Sequence, residues 1–409
     1  MPKLETRAHR VTVDNRVVAH LYLRGDYTWL EWQTGYWDDP RRPVLGLRFE
    51  DRPRAHIAAA LRLPSWFSNL LPEGRLREWV ARDAGVSPQR EMLLLRRLGG
   101  DLPGAVTVLQ IDDPVDPQWR PDQVVEAALE PPPLGNQVVP RFSLAGVAMK
   151  FSMLREGDRL TLPASAQDGD WIVKLPDAVY SGLPQNEFGI MTMASLVGID
   201  VPDIRLIQRD ELPPLPSEAW PGRQDWAYAI QRFDRAPGRR IHMEDLAQVK
   251  GVYPEAKYDG SFATAGAYIY RGRDLDSYLE FVRRLFFSYA IGNGDMHLKN
   301  LSLLYPDGRR PVLSPAYDLV STAPYQPGCD EDLGLRLGRS RAFHDVTPAS
   351  FEMLARTVNA PVAETSETVA SVASEISTAW ESVRGQFQLL PGHQEWLDER
   401  LPRIAALFR

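Results

Sequence analysis

The sequence predicts an α+β chain of two lobes preceded by a small α+β subdomain. Three observations carry this reading. Short apolar strands separated by turn residues dominate 137–236, with one helical segment among them. Residues 237–409 are mostly helical in periodicity, with long apolar-striped runs at 275–290 and 362–387. Between residues 1–112 and the rest, Pro114, Pro117, Pro121, Pro131, Pro132 and Pro133 mark a connector over 113–136.

In chain order, residues 11–13 and 17–23 flank Asp14-Asn15-Arg16 and predict a hairpin. Residues 27–32 and 44–49 read as further strands. A helix is expected over 67–84, at least beyond Pro72, and Gly85 would stop it. Residues 105–111 return to strand. In the connector, Ala127 and Leu129 suggest a short helical turn. Strands are then predicted at 138–143, 149–154, 160–162, 171–176 and 226–233. A helix is predicted at 186–197, with Ile190, Met193, Ala194 and Val197 on one face. Further helices are expected at 275–290, 351–358, 362–387 and 396–408. A hairpin is expected at 301–305 and 311–313, around Pro306-Asp307-Gly308.

The composition is that of a globular protein. The 409 residues are 44% hydrophobic and 25% charged, enough for two or three domain-sized cores. A net charge of −7 argues against a chain-wide electrostatic footprint for nucleic acid, while leaving room for a local basic patch. Cys329 is the only cysteine, so no internal disulfide forms, and a cytoplasmic location is expected. The polar start MPKLETRAHR lacks an apolar signal core, and no apolar run reaches membrane-span length. The seven histidines show no close pairing of the kind zinc sites use.

The chemistry concentrates in Gly292-Asn293-Gly294-Asp295-Met296-His297-Leu298-Lys299-Asn300, directly after the helix predicted at 275–290. Asp295 and Asn300 stand five positions apart, and Asp318 follows the second hairpin. Transfer of a phosphoryl group from ATP to a hydroxyl needs a carboxylate beside the nucleophile and oxygen ligands for Mg²⁺. A kinase catalytic loop has this layout. Asp295 would orient the hydroxyl, and Asn300 and Asp318 would hold the metal. Lys299 would stabilise the transferring charge, and His297 would fix the loop through a hydrogen bond. The same Asp–Asn spacing also arises by chance in loops that do no chemistry.

Lys174 lies in the apolar strand text Ile172-Val173-Lys174-Leu175, where a kinase places its ATP-phosphate lysine. Glu187 shares a helix face with Ile190 and Ala194, so it points inward and wants a cation. The alternative is a lysine snorkelling at a strand edge and a first-turn acid facing the helix dipole. Ser143-Leu144-Ala145-Gly146 sits where a phosphate-covering loop belongs, though an ordinary β-turn fits it as well. Gln231-Arg232-Phe233-Asp234-Arg235 ends the last strand of the first lobe, either as a hinge whose backbone meets adenine or as a charge-capped strand end. Strands, one helix, more strands and then a helical half match the order of a bilobal protein-kinase-like fold.

Together these residues resemble the HipA family, the serine/threonine kinase toxins of bacterial toxin–antitoxin pairs. The first subdomain carries FSNLLPEG at 67–74 and LGGDLPGA at 98–105. The remainder carries SLAG at 143–146, VKLP at 173–176, NE at 186–187, QRFDR at 231–235 and ED at 244–245. KYDG follows at 257–260, GDMHLKN at 294–300 and SPAYDL at 314–319. The resemblance implies that Tyr317 packs at the nucleotide site. It also implies that Ser143 is a regulatory phosphosite, autophosphorylated to eject the loop and switch the enzyme off. It further implies a protein substrate such as glutamyl-tRNA synthetase or another aminoacyl-tRNA synthetase, a helix-turn-helix antitoxin of the HipB type, and operator DNA reached through that antitoxin. The sequence departs from the family at Ala148, often Gln, and at Gln231, often Glu.

Two other readings use the same residues. One is a repressor-complex scaffold with vestigial catalysis, which the intact Lys174, Asp295, Asn300 and Asp318 oppose. The other is a small-molecule phosphotransferase, which the subdomain motifs oppose.

Overall fold

The computed structural model describes residues 5–112, 116–122, 128–130, 149–156, 159–161, 169–215, 219–220, 224–325, 332–388 and 390–409. The chain forms two compact units, each assembled from separated stretches of sequence. The first comprises Met1–Arg141, Asp234–Lys257 and Ser302–Val312; the second comprises Phe142–Phe233, Tyr258–Leu301 and Leu313–Arg409.

The first unit is built on a six-stranded sheet in the order Val106–Gln110, Arg7–Val13, Arg16–Arg24, Tyr27–Trp32, Ile57–Ala60, Ala128–Glu130. The expected first hairpin is present. Val13 pairs with Arg16, and Asp14 and Asn15 both take positive φ, as a two-residue turn matched to strand twist requires. Val11, Leu21, Leu30, Phe49, Trp66 and Leu94 form its apolar core.

Three expectations are corrected in this unit. The strand expected at 44–49 is instead the short helix Leu47–Glu50. The buried Glu244 carboxylate accepts from the Leu47 N–H at 2.8 Å, satisfying a helix-end donor that no strand neighbour takes. The helix expected over 67–84 is two helices, Ser65–Ser68 and Gly74–Asp83, broken around Pro72, which has no N–H to continue a helix. Of the helical turn expected at Ala127 and Leu129, Ala127 lies outside the described residues and Leu129 belongs to a strand, Ala128–Glu130, pairing in parallel with Ile57–Ala60. A stretch that short cannot nucleate a helix alone, so a distant pairing partner decides its state.

The ED pair of 244–245 proves structural. Glu244 also accepts from Trp66 Nε1 at 3.0 Å and from the Tyr305 hydroxyl, and its burial pushes its carboxyl up to about 7. Asp245 caps the helix Leu246–Lys250 by accepting from the Gln248 N–H. Asp234 and Arg235 of QRFDR belong here too. Asp234 accepts from the Gly104 N–H at 2.7 Å, and Arg235 reaches Asp101 at 2.9 Å.

The second unit carries a five-stranded antiparallel sheet in the order Ile204–Gln208, Trp226–Gln231, Trp171–Lys174, Lys150–Glu156, Arg159–Thr161. The helix Leu183–Leu196 packs on its Ile204–Gln208 and Trp226–Gln231 strands. Five further helices follow: Phe262–Tyr270, Leu275–Ala290, Pro348–Val358, Val362–Val383 and Pro391–Phe408. The Val362–Val383 helix touches Leu275–Ala290, Pro348–Val358, Pro391–Phe408 and Leu183–Leu196.

The Gly292-to-Asn300 stretch starts where the Leu275–Ala290 helix stops. Gly292 takes φ +68, and the Asn293 N–H returns to the Ser288 carbonyl at 2.8 Å. A Cβ at Gly292 would also stand 2.2 Å from the Trp396 ring, so only glycine fits this turn. The buried Arg400 donates to the Ala290 carbonyl at 3.0 Å and to the Tyr289 carbonyl at 2.9 Å, placing a cation at the helix C-terminus. We expect Arg400→Leu to cost about 1–3 kcal/mol, since it strands the buried Ala290 carbonyl, while the Tyr289 carbonyl keeps the Gly292 N–H at 3.2 Å. Thermal denaturation of the variant checks this.

Candidate active site

The Trp171–Lys174 strand places Lys174 opposite Tyr228 on one side and Lys150 on the other. From there its ammonium reaches two carboxylates, Glu187 at 2.5 Å and Asp318. Glu187 arrives on the Leu183–Leu196 helix and is buried, as its apolar helix face predicts. Burial pulls the Lys174 ammonium down, but Asp318 and Glu187 outweigh it and hold it above the ordinary lysine range. Burial pushes Glu187 up to about 7 against the pull of Lys174. Burial also works to raise Asp318, yet Lys174 and then Lys150 hold it down at about 2. One ammonium thus serves two acids of opposite tendency.

Asp318 has φ 57, an uncommon conformation for a residue with a side chain. The segment after it is tied to the Glu187 helix. The buried Asn186 amide donates to the Ser321 carbonyl at 2.9 Å and accepts from the Ser321 N–H at 3.1 Å. The Thr322 hydroxyl donates to the Gly292 carbonyl at 3.1 Å and accepts from the Gly294 N–H at 2.8 Å. These bonds lock the Asp318 segment to the loop that carries Asp295.

Within that loop, Asn293 Oδ1 accepts from the Asp295 N–H at 2.9 Å, and Asn300 Nδ2 donates to the Asp295 carbonyl at 2.9 Å. The five-residue spacing therefore closes a local ring with Asp295 at its entrance and Asn300 at its exit. Asp295 is 5% exposed, and its carboxylate accepts from the Tyr258 hydroxyl. His297 is buried, with its ring edge against Tyr258 at 4.9 Å. Lys299 lies in the turn Leu298–Asn300, and its carbonyl accepts from the Tyr317 hydroxyl at 2.8 Å. The Tyr317 ring meets Phe233 at 5.6 Å. A Cβ on Gly334 would stand 2.3 Å from the Met296 carbonyl, so the Asp332–Leu337 strand crosses the loop at backbone contact.

Lys174, Glu187 and Asp318 thus form one cluster, Asp295 and Asn300 a second, and Phe233, Tyr317 and Lys299 a third. Gln231 is less engaged. Its side chain is exposed, its N–H bonds the Asp203 carbonyl at 2.8 Å, and the Arg232 N–H bonds Asp170. The Gln231 and Arg232 N–H groups of this expected hinge are thus committed within the unit. Ser143, Leu144, Ala145 and Gly146 lie outside the described residues.

Sequence reasoning gave no role to Tyr258, Asn186, Asn293 or Thr322. Three of them stood in quoted stretches, KYDG, NE and Gly292-to-Asn300, but spacing does not name a side chain's hydrogen-bond partner.

The donor set fits a hard divalent cation. Because Asn300 Nδ2 is spent on the Asp295 carbonyl, the amide oxygen is the end that would coordinate. Asp318 is held ionised. Among the described residues no group of three or more His, Cys, Asp and Glu could hold a metal. Two oxygen ligands, with phosphates and water supplying the rest, is how Mg²⁺ is commonly bound.

Comparisons with known proteins agree with this architecture. Residues 9–109 match the HipA N-terminal domain, and residues 142–380 match the HipA-like C-terminal domain. A Sinorhizobium fredii protein named "Putative kinase Y4dM" is 40% identical over 93% of both chains. The "Serine/threonine-protein kinase toxin HipA" of Shewanella oneidensis is 28% identical over 63% of each. A chain from the solved Shewanella oneidensis complex of HipA, HipB and operator DNA superposes with a TM-score of 0.74 at 19% identity, covering 97% of this chain and 96% of that one. The fold is α+β and protein-kinase-like. This chain belongs to the HipA family. Among the described residues, no helix is long and apolar enough to cross a membrane.

Proposed function

We propose that this chain is an ATP- and Mg²⁺-dependent serine/threonine protein kinase acting as a toxin. The observation that carries the proposal is Lys174 joining Glu187 and Asp318, in a unit that also presents Asp295 and Asn300 on one rigid loop. This is the residue set that phosphoryl transfer requires. Lys174 would meet the nucleotide phosphates, with Glu187 orienting it. Asn300 and Asp318 would hold the metal, which neutralises phosphate charge when bound. Phe233 and Tyr317 would flank the base, His297 would brace the loop, and Lys299 would stabilise the transferring charge.

In the proposed step, a substrate hydroxyl oxygen bonds to the γ-phosphorus and the bond to the β-phosphate oxygen breaks. The hydroxyl proton passes to Asp295, and ADP leaves. The acceptor would be a protein of translation, such as an aminoacyl-tRNA synthetase. A HipB-type helix-turn-helix antitoxin would be the partner, with operator DNA reached through it. The division into 1–112, 113–136, 137–236 and 237–409 remains our proposed domain scheme. Incubating wild type and Asp295→Asn with labelled Mg·ATP and bacterial lysate tests the activity. Label incorporated by wild type alone supports it, and silence from both while nucleotide binds rejects it.

Ser143 is the proposed off-switch. A phosphate on Ser143 carries nearly two negative charges, and a loop that covers nucleotide phosphates, as the family resemblance implies, would be expelled by it. Ser143→Ala should lose autophosphorylation and stay active over prolonged incubation with ATP. Phosphopeptides mapping only to other residues count against it.

A further inference from the structure

We infer that Tyr258 is a positioning residue for Asp295, holding its carboxylate in the orientation that receives the substrate hydroxyl. The inference rests on the kinase reading above and goes beyond it, because Tyr258 lies in sequence far from the Asp–Asn loop.

The Tyr258 hydroxyl donates to Asp295 Oδ1. The backbone of Asp295 is already fixed on both sides, by Asn293 Oδ1 at its N–H and Asn300 Nδ2 at its carbonyl. Those two bonds place the Cα but leave rotation about the side-chain torsions. The carboxyl torsion is broad and roughly two-fold, so it needs an outside partner to set it. A charge-assisted O–H···O⁻ bond supplies one.

Tyr258 can do this because it is itself anchored. Its carbonyl accepts from Arg341 Nη2 at 2.6 Å, while Arg341 Nη1 donates to the Gly334 carbonyl at 2.8 Å. The same guanidinium thus ties Tyr258 to the strand that crosses the loop at Met296. Behind Tyr258, Ser261 accepts from the Thr264 N–H at 3.1 Å and caps the helix Phe262–Tyr270. The tyrosine ring is braced edge-on by His297 at 78°. Arg341 holds the backbone and His297 braces the ring, so the hydroxyl reaches Asp295 from a fixed base, the arrangement a positioning group needs.

The alternative is that the hydroxyl only satisfies a buried carboxylate and matters for folding. The two roles differ in what they move. Tyr258→Phe keeps the ring against His297 and removes one oxygen. We measure initial rates of label transfer into bacterial lysate protein at varied Mg·ATP, together with nucleotide affinity and thermal unfolding. Positioning predicts a maximal rate lowered about 10- to 100-fold, as small misplacements of a reacting group do. The KM for ATP, the nucleotide affinity and the melting temperature should stay near wild type. An unchanged maximal rate overturns the inference. So does a rate loss matched by loss of ATP binding and of thermal stability, which is the signature of a structural role. A silent wild type would reject the kinase reading itself and this inference with it. An active wild type beside a fully active Tyr258→Phe rejects the inference alone.

Discussion

Asp295→Asn is expected to lower phosphoryl transfer by about three orders of magnitude or more, equivalent to about 4 kcal/mol of barrier. The variant changes one oxygen for an NH₂ and leaves the volume alone. Asn293 and Asn300 bond the backbone of residue 295, so the loop keeps its shape. An amide oxygen can still accept from Tyr258. What disappears is the negative charge that we propose orients the hydroxyl and takes its proton. Since this chemistry is almost wholly positioning and electrostatics, little else can replace it. Nucleotide binding, which we assign to Lys174, Asn300 and Asp318, should persist. Rapid-quench transfer beside equilibrium nucleotide binding measures both. Near wild-type transfer would reject Asp295 as the hydroxyl-orienting acid.

Lys174→Met is expected to strike activity and stability together, with the stability loss depending on pH. Lys174, itself mostly buried, is the common partner of the buried Glu187 and of the half-buried Asp318. Removing one partner of a buried ion pair costs about 3–5 kcal/mol, because the opposite charge is left uncompensated. The sign follows from the two carboxyls. Asp318 is depressed to about 2, so its stabilisation is present above its ordinary pKa and is lost as pH falls towards 2. Glu187 is raised to about 7, so the folded state binds its proton more tightly than the unfolded chain does. Its contribution therefore declines as pH rises from the ordinary glutamate range towards 7. Without Lys174, Asp318 loses its largest attraction and its pKa moves up as well. The variant's deficit should be widest at about pH 8 and narrower at about pH 5, where the acids can protonate. Thermal denaturation of wild type and variant at the two pH values reads this. An equal deficit at both would mean that the lysine acts by packing and not by charge.

Much of the site is legible in the sequence because its geometry is local. The Asp295-to-Asn300 spacing is the length of one tight loop, and the Asn300 amide closes it onto the Asp295 carbonyl. Glu187 faces inward because helical periodicity puts it on the stripe of Ile190 and Ala194. The hairpin Asp14-Asn15 announces its turn through residues that tolerate positive φ. Readings failed where the deciding partner was distant along the chain. Residues 44–49 alternate like a strand, yet Glu244 turns Leu47–Glu50 into a helix. Ala128–Glu130 has no strand signal of its own and is recruited by Ile57–Ala60.

By itself the sequence determined the α+β class and much of the order of the elements, and it nominated the acids, amide and lysine that we propose carry chemistry, because these follow from periodicities of two and 3.6 and from short loops. Only the tertiary structure decided how they are held. It joined Lys174 to Glu187 and Asp318, set Tyr258 on Asp295, and assigned Asp234–Lys257 and Ser302–Val312 to the first unit. The reason is physical: a hydrogen bond or ion pair depends on distance in space, and a linear pattern fixes that distance only within a turn or two of its own residue.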